Sequence, residues 1–237
     1  MSATPHLSVV LPVHNQGEHI GETVRVYLSA LSNLRHPFEL LLVVNASRDG
    51  SLTACEELSR SNPAVRVLSG AVPGWGRAVR AGIAASRGEI LAYTNSARTT
   101  PHLLCSLVLL GLANPGYLVK AERRLRFPLI RRVGSVLYNF QCRALFDLAV
   151  WDVNGTPKVF SRSILPPAGL REEGDLIDLE LLIHCARSGI PVLEVPVVSP
   201  GRHAGRSTTM LPSALKMYAG AFRLRRELRR AASTERR

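Results

Sequence analysis

Leu7-Ser8-Val9-Val10-Leu11-Pro12-Val13 is nearly continuous in leucine and β-branched residues, as a strand buried on both faces must be. Pro12 falls where such a strand's hydrogen-bond ladder can stop, and His14-Asn15-Gln16-Gly17 then turns the chain. Working outward, Glu18 to Leu34 has helical apolar spacing (Ile20, Val24, Tyr27, Leu28, Leu31), and Glu39 to Asn45 is a second all-apolar strand. A polar loop, Asn45 to Ser51, leads into a helix for which Ser51 is the expected cap. Val65 to Leu68 reads as a third strand, Pro73-Gly74-Trp75-Gly76-Arg77 opens a helix to about Ser86, and Glu89 to Thr94 is a fourth strand. Strand and helix alternating in this way predict right-handed crossovers and a doubly wound, mostly parallel sheet flanked by helices, an α/β fold with ligands at the carboxyl ends of the strands.

The polar clusters fall at those strand ends: His14 to Gln16, Asn45 to Ser51, Gly74 to Arg77, and Asn95-Ser96-Ala97-Arg98. Gly74-Trp75-Gly76 before a helix suits a phosphate cradled on backbone N–H groups with Arg77 beside it. It is no dinucleotide fingerprint, since it follows the third strand, and no Lys-Ser/Thr pair makes a P-loop.

Beyond Pro101 a helix runs to about Leu112, and Tyr117 to Lys120 is a short strand. A basic stretch follows (Lys120, Arg123, Arg124, Arg126, Arg131, Arg132 against Glu122 alone), then a long apolar helix from Val133 to Leu148. Asp152-Val153-Asn154-Gly155-Thr156-Pro157-Lys158-Val159-Phe160 is bent by its Asn-Gly and Pro and is dense in chemistry, suited to a pocket floor. Asp178 to Ser188 is helical and Pro191 to Val198 a strand. From Leu211 to Arg230 two stripes, Leu211/Leu215/Tyr218/Phe222 and Met217/Ala221/Leu224/Leu228, are expected to merge into one apolar face opposite Lys216, Arg223, Arg226 and Arg230.

The 237 residues carry a net charge of +12, distributed unevenly: residues 201–237 hold ten Lys/Arg against two Asp/Glu. Such a tail attracts polyanions. Nucleic acid is disfavoured as the partner, because aromatics are 5% and not interleaved with the basic residues, and no zinc or helix-turn-helix spacing is present. The four cysteines (Cys55, Cys105, Cys142, Cys185) sit apart among apolar neighbours, as in a reducing compartment. The N-terminus lacks the pattern of a signal peptide, and no apolar run reaches the roughly 18 residues of a membrane span. The expected location is cytoplasmic, with peripheral contact at the cytoplasmic membrane face. Residues 1–207 are read as the main domain and 208–237 as a basic amphipathic C-terminal helix and tail.

Taken in order, these motifs resemble a family 2 glycosyltransferase of the GT-A type, and most of all its polyprenyl-phosphate sugar synthases. Leu7 to Asn15 is similar to the family's strand ending in Pro-x-x-Asn-Glu, and Asn45 to Ser51 to its Asp-Asn/Asp-Ala/Gly-Ser-x-Asp-Gly-Ser/Thr loop. Gly76 to Glu89 resembles its Gly-Lys/Arg-x-x-Ala-x-x-x-Gly helix, and Asp152 to Phe160 its Asp-x-x-x-Gly-x-Lys-x-Phe segment. Asp178-x-Glu180-Leu181-Leu182, Glu194-Val195-Pro196-Val197 and Arg202-x-x-Gly205-x-Ser207 complete the series.

The resemblance implies an inverting transfer from a nucleotide-diphosphate sugar to an acceptor, in this branch a polyprenyl phosphate. It places the donor on Pro12, His14, Asn15, Asn45, Ser47, Asp49, Gly76, Arg77, Asn95, Ser96 and Arg98. Asn154, Glu180, Arg202, Arg206 and Ser207 fall to the acceptor or its phosphate. Asp178 is the implied base or acceptor-orienting carboxylate, with Asp152 and Lys158 as further catalytic groups and Lys158 on phosphate.

Three departures bear on the chemistry. Asn95-Ser96-Ala97 replaces the family's Asp-x-Asp, Val44 stands for the first loop Asp, and Gln16 for the usual Glu. Neutral groups hold Mg²⁺ or Mn²⁺ poorly, so a Mg²⁺ or Mn²⁺ cofactor is disfavoured though not excluded by the residues. Either cations such as Arg48, Arg77, Arg98, Arg202 and Arg206 take the metal's part, or the chain is an inactive binding or partner subunit.

Overall fold

A computed structural model describes residues 5–95, 97–125, 129–198 and 211–234; the side chains of 125, 129–132, 211–214 and 231–234 are outside it. Ser96, Arg126, Arg202, Arg206 and Ser207 therefore lie outside the described residues. The strands are β1 (Leu7–Val13), β2 (Phe38–Asn45), β3 (Val65–Gly70), β4 (Ile90–Tyr93), β5 (Leu118–Leu125), β6 (Lys158–Ser161) and β7 (Val192–Val198). The helices are α1 (Ile20–Ser32), α2 (Ser51–Ser61), α3 (Trp75–Ala85), α4 (Pro101–Ala113), α5 (Leu129–Phe146), α6 (Ile177–Arg187) and α7 (Leu211–Thr234).

One sheet orders the strands β3-β2-β1-β4-β6-β5-β7. β1 pairs in parallel with β2 and β4, β2 with β3, and β5 with β7; β6 alone runs antiparallel, between β4 and β5. The expected doubly wound, mostly parallel sheet is present.

Side-chain alternation along each strand feeds two cores. Leu7, Val9, Leu11 and Val13 meet Ile20, Val24, Tyr27 and Leu31 of α1 and Leu104, Leu107 and Val108 of α4. Val10, Leu41, Val43 and Leu91 face the other way, toward α3, α5, α6 and α7. This is why the strands read as apolar throughout: both faces are covered, and each fully buried aliphatic side chain contributes about 1.5–3 kcal/mol.

Four local expectations change. β5 runs on from Lys120 to Leu125, because β7 pairs with it along that length and Arg123 finds a carboxylate. The end of the Asp152 to Phe160 segment is strand, not turn, since Lys158 to Ser161 closes the sheet between β4 and β5. Ser51 does not cap α2. Asp49 does that work: its carboxylate accepts from Ser51 N (3.0 Å) and Gly17 N (2.9 Å), while Ser51 Oγ accepts from Gln16 N.

The two stripes of α7 also fail to merge. Ala221 and Leu224 are buried with Met217 and Leu228 packed beside them, whereas Leu215 and Phe222 face outward at 66% and 58% exposure. Tyr218 lies between the two, its ring edge-on to Tyr138 of α5 and its hydroxyl donating to Gly134 O. The helix is thus docked on the main body by one stripe.

Candidate functional site

The carboxyl ends of β1, β2 and β3 open into a cleft of about 820 Å³ lined by His14, Asn15, Val44, Ala46, Ser47, Arg48 and Gly70, with Pro73 at its far wall. Neutral groups shape it. His14 Nδ1 donates to Asn45 O at 2.7 Å, which leaves Nε2 to accept from Asn15 Nδ2 at 3.2 Å. Asn15 Oδ1 accepts from Arg48 N, and Ser47 Oγ accepts from Asn15 N. Asn15 and Ala46 hold φ near +50°, where most side chains clash with their own carbonyl, so the loop is shaped by its contacts and not by local preference. Gly70 leaves room for the Asn45 amide, whose Oδ1 would stand 2.8 Å from any Cβ there. Burial works against the Asp49 carboxylate, but hydrogen bonds from Ser51 and the Gly17 N–H outweigh it and hold its pKa below the ordinary value.

Among the predicted donor residues, His14, Asn15 and Ser47 line this cleft, Asn45 lies buried behind it with its carbonyl on His14, Asp49 holds Gly17 N and Ser51 N, and Pro12 is in the strand beneath. Asn95 lies at the carboxyl end of the neighbouring β4 and turns inward, its Oδ1 accepting from Ala97 N at 3.1 Å. Arg98 follows in the same loop, its backbone N–H on Asn95 O.

Gly76 and Arg77 are placed differently. The chain's own 172–174 segment lies on the first turn of α3: Arg77 N donates to Glu173 O, and a Cβ on Gly76 would meet Gly174 O at 2.5 Å and Glu172 O at 2.6 Å. The glycines admit that segment and no phosphate, and the Arg77 guanidinium is paired with Glu173. Glu180 turns away from the expected acceptor role. It folds the same segment, accepting from Arg171 N and Glu172 N.

Beyond β4 the site is built from charge. Lys158, fully buried, donates to Asp178 Oδ1 (2.5 Å), Gly155 O (2.8 Å) and Val153 O (3.1 Å). Its three ammonium hydrogens are used, so the expected phosphate contact is replaced by an internal ion pair. Desolvation lowers its pKa to about 8, against the opposing pull of Asp178. Asp178 also accepts from Tyr93 Oη (2.7 Å) and Trp75 Nε1 (3.2 Å) and is 4% exposed. Burial, and then Asp178 itself, push the Tyr93 phenol well above its usual range, so it remains a donor.

Two further pairs complete the cluster. Asp152 is gripped by Arg123 through Nε (2.7 Å) and Nη2 (2.9 Å), and its backbone N–H donates to Glu194, which also takes Lys120 Nζ at 2.6 Å. Lys120 and Lys158 are paired across β5 and β6, both fully buried. Gly155 passes so close to β5 that a methyl there would overlap Ala121 O. The side chain of Asn154 is half-buried and its Oδ1 has no partner in the cluster.

Tyr93, Trp75, Lys120 and Arg123 are thus site residues the motif reading missed. Two lysines, Lys120 after Leu118-Val119 and Lys158 before Val159-Phe160, were the available signal, since a buried cation requires a carboxylate.

The Asp-x-Asp that Asn95-Ser96-Ala97 replaces is the motif that would hold a divalent ion, and the residues present can be tested for it. Asn95 is neutral and already bonded to its own loop, Ala97 offers only a methyl, and among the described residues no cluster of three His, Cys, Asp or Glu could hold a metal ion. These residues do not suit a hard cation.

The family model for glycosyl transferase family 2 matches residues 8–165, and the chain belongs to that family. It is accordingly an enzyme of the glycosyltransferase class that draws on a nucleotide-sugar donor. It is 28% identical over 210 residues to an uncharacterized glycosyltransferase of Mycobacterium tuberculosis, covering 85% of this chain and 88% of that protein. It is 27% identical over 207 residues to undecaprenyl-phosphate 4-deoxy-4-formamido-L-arabinose transferase of Pseudomonas fluorescens, covering 85% of this chain but 59% of that longer protein. Glucosyl-3-phosphoglycerate synthase from M. tuberculosis, solved with Mn²⁺, UDP and product, superposes with a TM-score of 0.69 at 22% identity over 94% of this chain and 81% of that one. The last likeness is one of fold.

Proposed function

We propose that the chain transfers a sugar, with inversion, from a nucleotide-diphosphate sugar to a polyprenyl-phosphate lipid at the cytoplasmic face of a membrane, without a divalent metal. The observation that carries the acceptor is a surface. Val133, Val136, Leu137 and Phe140 of α5, spaced i, i+3, i+4, i+7, are 53–71% exposed, and Leu215 and Phe222 of α7 are exposed on the helix packed beside it. Arg225, Arg226, Arg229 and Arg230 line a groove with Phe222 and Leu145 at one end of this face. An apolar stripe bordered by cations suits an anionic bilayer: each Arg near such a surface contributes about 1 kcal/mol, and immersed apolar side chains add to it. Among the described residues no helix is long and apolar enough to cross a membrane, so the lipid would be met from its surface.

In the reaction, an oxygen of the lipid phosphate attacks the anomeric carbon opposite the diphosphate. The new C–O bond forms as the old one breaks, and the departing nucleoside diphosphate keeps the electron pair. A phosphate is ionised at neutral pH, so it needs positioning and no base. Arg48, at the cleft, and Arg98 are suited to offset the leaving charge, and Arg202 and Arg206 retain that proposed role. Asp152, Lys158 and Asp178 support the acceptor side from beneath.

The test is turnover of a nucleotide-sugar panel with undecaprenyl phosphate in anionic vesicles, with and without chelator. Transfer that survives chelator and is lost in neutral vesicles or on exchanging Val136 and Phe140 for serine supports the reading. Absence of turnover with retained nucleoside-diphosphate binding favours the inactive partner subunit. A chelator effect beyond tenfold, about 1.4 kcal/mol, would restore a metal.

A further inference from the structure

Asp178 stands in the first turn of α6, yet its carboxylate ties together the roots of three other segments. Tyr93, which donates to Oδ1, is the last residue of β4, directly before the loop that carries Asn95 and Arg98. Lys158, on the same oxygen, is the first residue of β6 and lies within the Asp152 to Phe160 segment. Trp75, which donates to Oδ2, is the first residue of α3, two positions after Pro73 on the cleft wall. The Trp75 and Tyr93 rings meet edge to face at 6.3 Å.

The indole contact is chemically specific. A phenyl ring would fill most of the same apolar space, but only the Nε1–H reaches the carboxylate, at a sequence distance of 103 residues. Gly74, at φ +148°, gives the backbone just before Trp75 no preference of its own that would hold it.

We propose that Asp178 is a positioning residue and that the Trp75 Nε1–H is its working contact with the donor side, holding Pro73 on the cleft wall in the conformation that receives the nucleoside of a nucleoside diphosphate. This rests on the reading of the cleft as the nucleotide site. It assigns Asp178 the orienting role in place of the base.

The chain has two tryptophans, so ¹⁵N spectra of the wild type contain two indole N–H signals, and Trp151→Phe identifies which belongs to Trp75. On titration with UDP and with GDP, the Trp75 signal is expected to move in step with binding. Trp75→Phe should bind the preferred nucleotide at least tenfold more weakly, with kcat changed less than KM and a melting temperature within a few degrees of wild type. A Trp75 signal unmoved at saturation, or Trp75→Phe binding within twofold of wild type, overturns the proposal. Should Trp75→Phe fail to fold, the wild-type titration alone decides. Should wild type bind neither nucleotide, the nucleotide-site reading itself falls and takes this proposal with it; binding with no response at Trp75 removes the proposal and leaves that reading standing.

Discussion

On the β1–β3 side, the cleft loops are joined by neutral hydrogen bonds: His14 to Asn45 O, Asn15 to Ser47 and Arg48 N, with one exposed carboxylate, Asp49, as a cap. On the β5–β7 side, the equivalent work falls to three buried ion pairs, Lys158–Asp178, Arg123–Asp152 and Lys120–Glu194. Neutral bonds at a solvent-facing rim are individually modest, about 0.5–1.5 kcal/mol net, and can be exchanged for contacts with a ligand. Buried ion pairs admit one arrangement, because any rotation that separates the partners leaves a charge without water or counter-ion. The β1–β3 half is therefore built to rearrange around what it binds, and the β5–β7 half to stay as it is.

The sharpest way to break this contrast is Asp178→Ala. Stranding Lys158 should cost about 3–5 kcal/mol in urea unfolding, while Lys158→Met with Asp178→Leu should cost clearly less, because both charges go together. A single-mutant cost under 1 kcal/mol would show that water reaches the pair.

The pH dependence follows from the same lysine. Its folded pKa of about 8 lies below the ordinary 10.5, so between those values the unfolded chain binds more protons than the folded one. This group's contribution to stability therefore rises with pH in that window, by at most about 1.4 kcal/mol per pH unit. Wild type compared with the Lys158→Met, Asp178→Leu double variant isolates it; a difference that is flat or falling from pH 8 to 10.5 contradicts the burial assigned to Lys158.

Smaller again is Gly155→Ala. Its methyl has to displace either the Asp152 segment or β5 at Ala121, which should lower stability by about 1–3 kcal/mol by thermal or chemical unfolding. On the β1–β3 side, Asp49→Ala removes the acceptor of the Ser51 and Gly17 N–H groups and should cost only about 1 kcal/mol. If Asp49→Ala proved the costlier of these two, the division into a loose and a locked half would have to be redrawn.

The legible part of the fold was the part whose local composition has one reading. β1, β2 and β4 are apolar on both faces, so their burial in a covered sheet followed from the residues alone. β6 escaped because it is four residues long and begins with a lysine, which ordinarily argues for a surface. β5 was cut short at Lys120 for a similar reason: Glu122, Arg123 and Arg124 read as a solvated basic stretch until Asp152, 29 residues on, is seen beside Arg123.

The candidate site divides in the same way. The loop after β2 announced itself by its string of small polar residues, and the structure sets His14, Asn15, Asn45 and Ser47 around one cleft. Gly74-Trp75-Gly76 looked like a phosphate cradle because small residues before a helix suit any close approach, and only the packing showed that the approaching backbone is the chain's own. In α7 both stripes were visible, but which one is buried depended on where α5 and Leu176 sit.

By itself, then, the sequence determined the alternation of strands and helices, the family, and the polar loops at the carboxyl ends of the strands, since each is encoded by residues adjacent in the chain. Tertiary structure decided which charges are partners and which apolar stripe remains outside. Trp75, Tyr93, Lys158 and Asp178 are spread over more than a hundred residues, and the free energy of a buried charge depends on what surrounds it, which no local stretch of sequence contains.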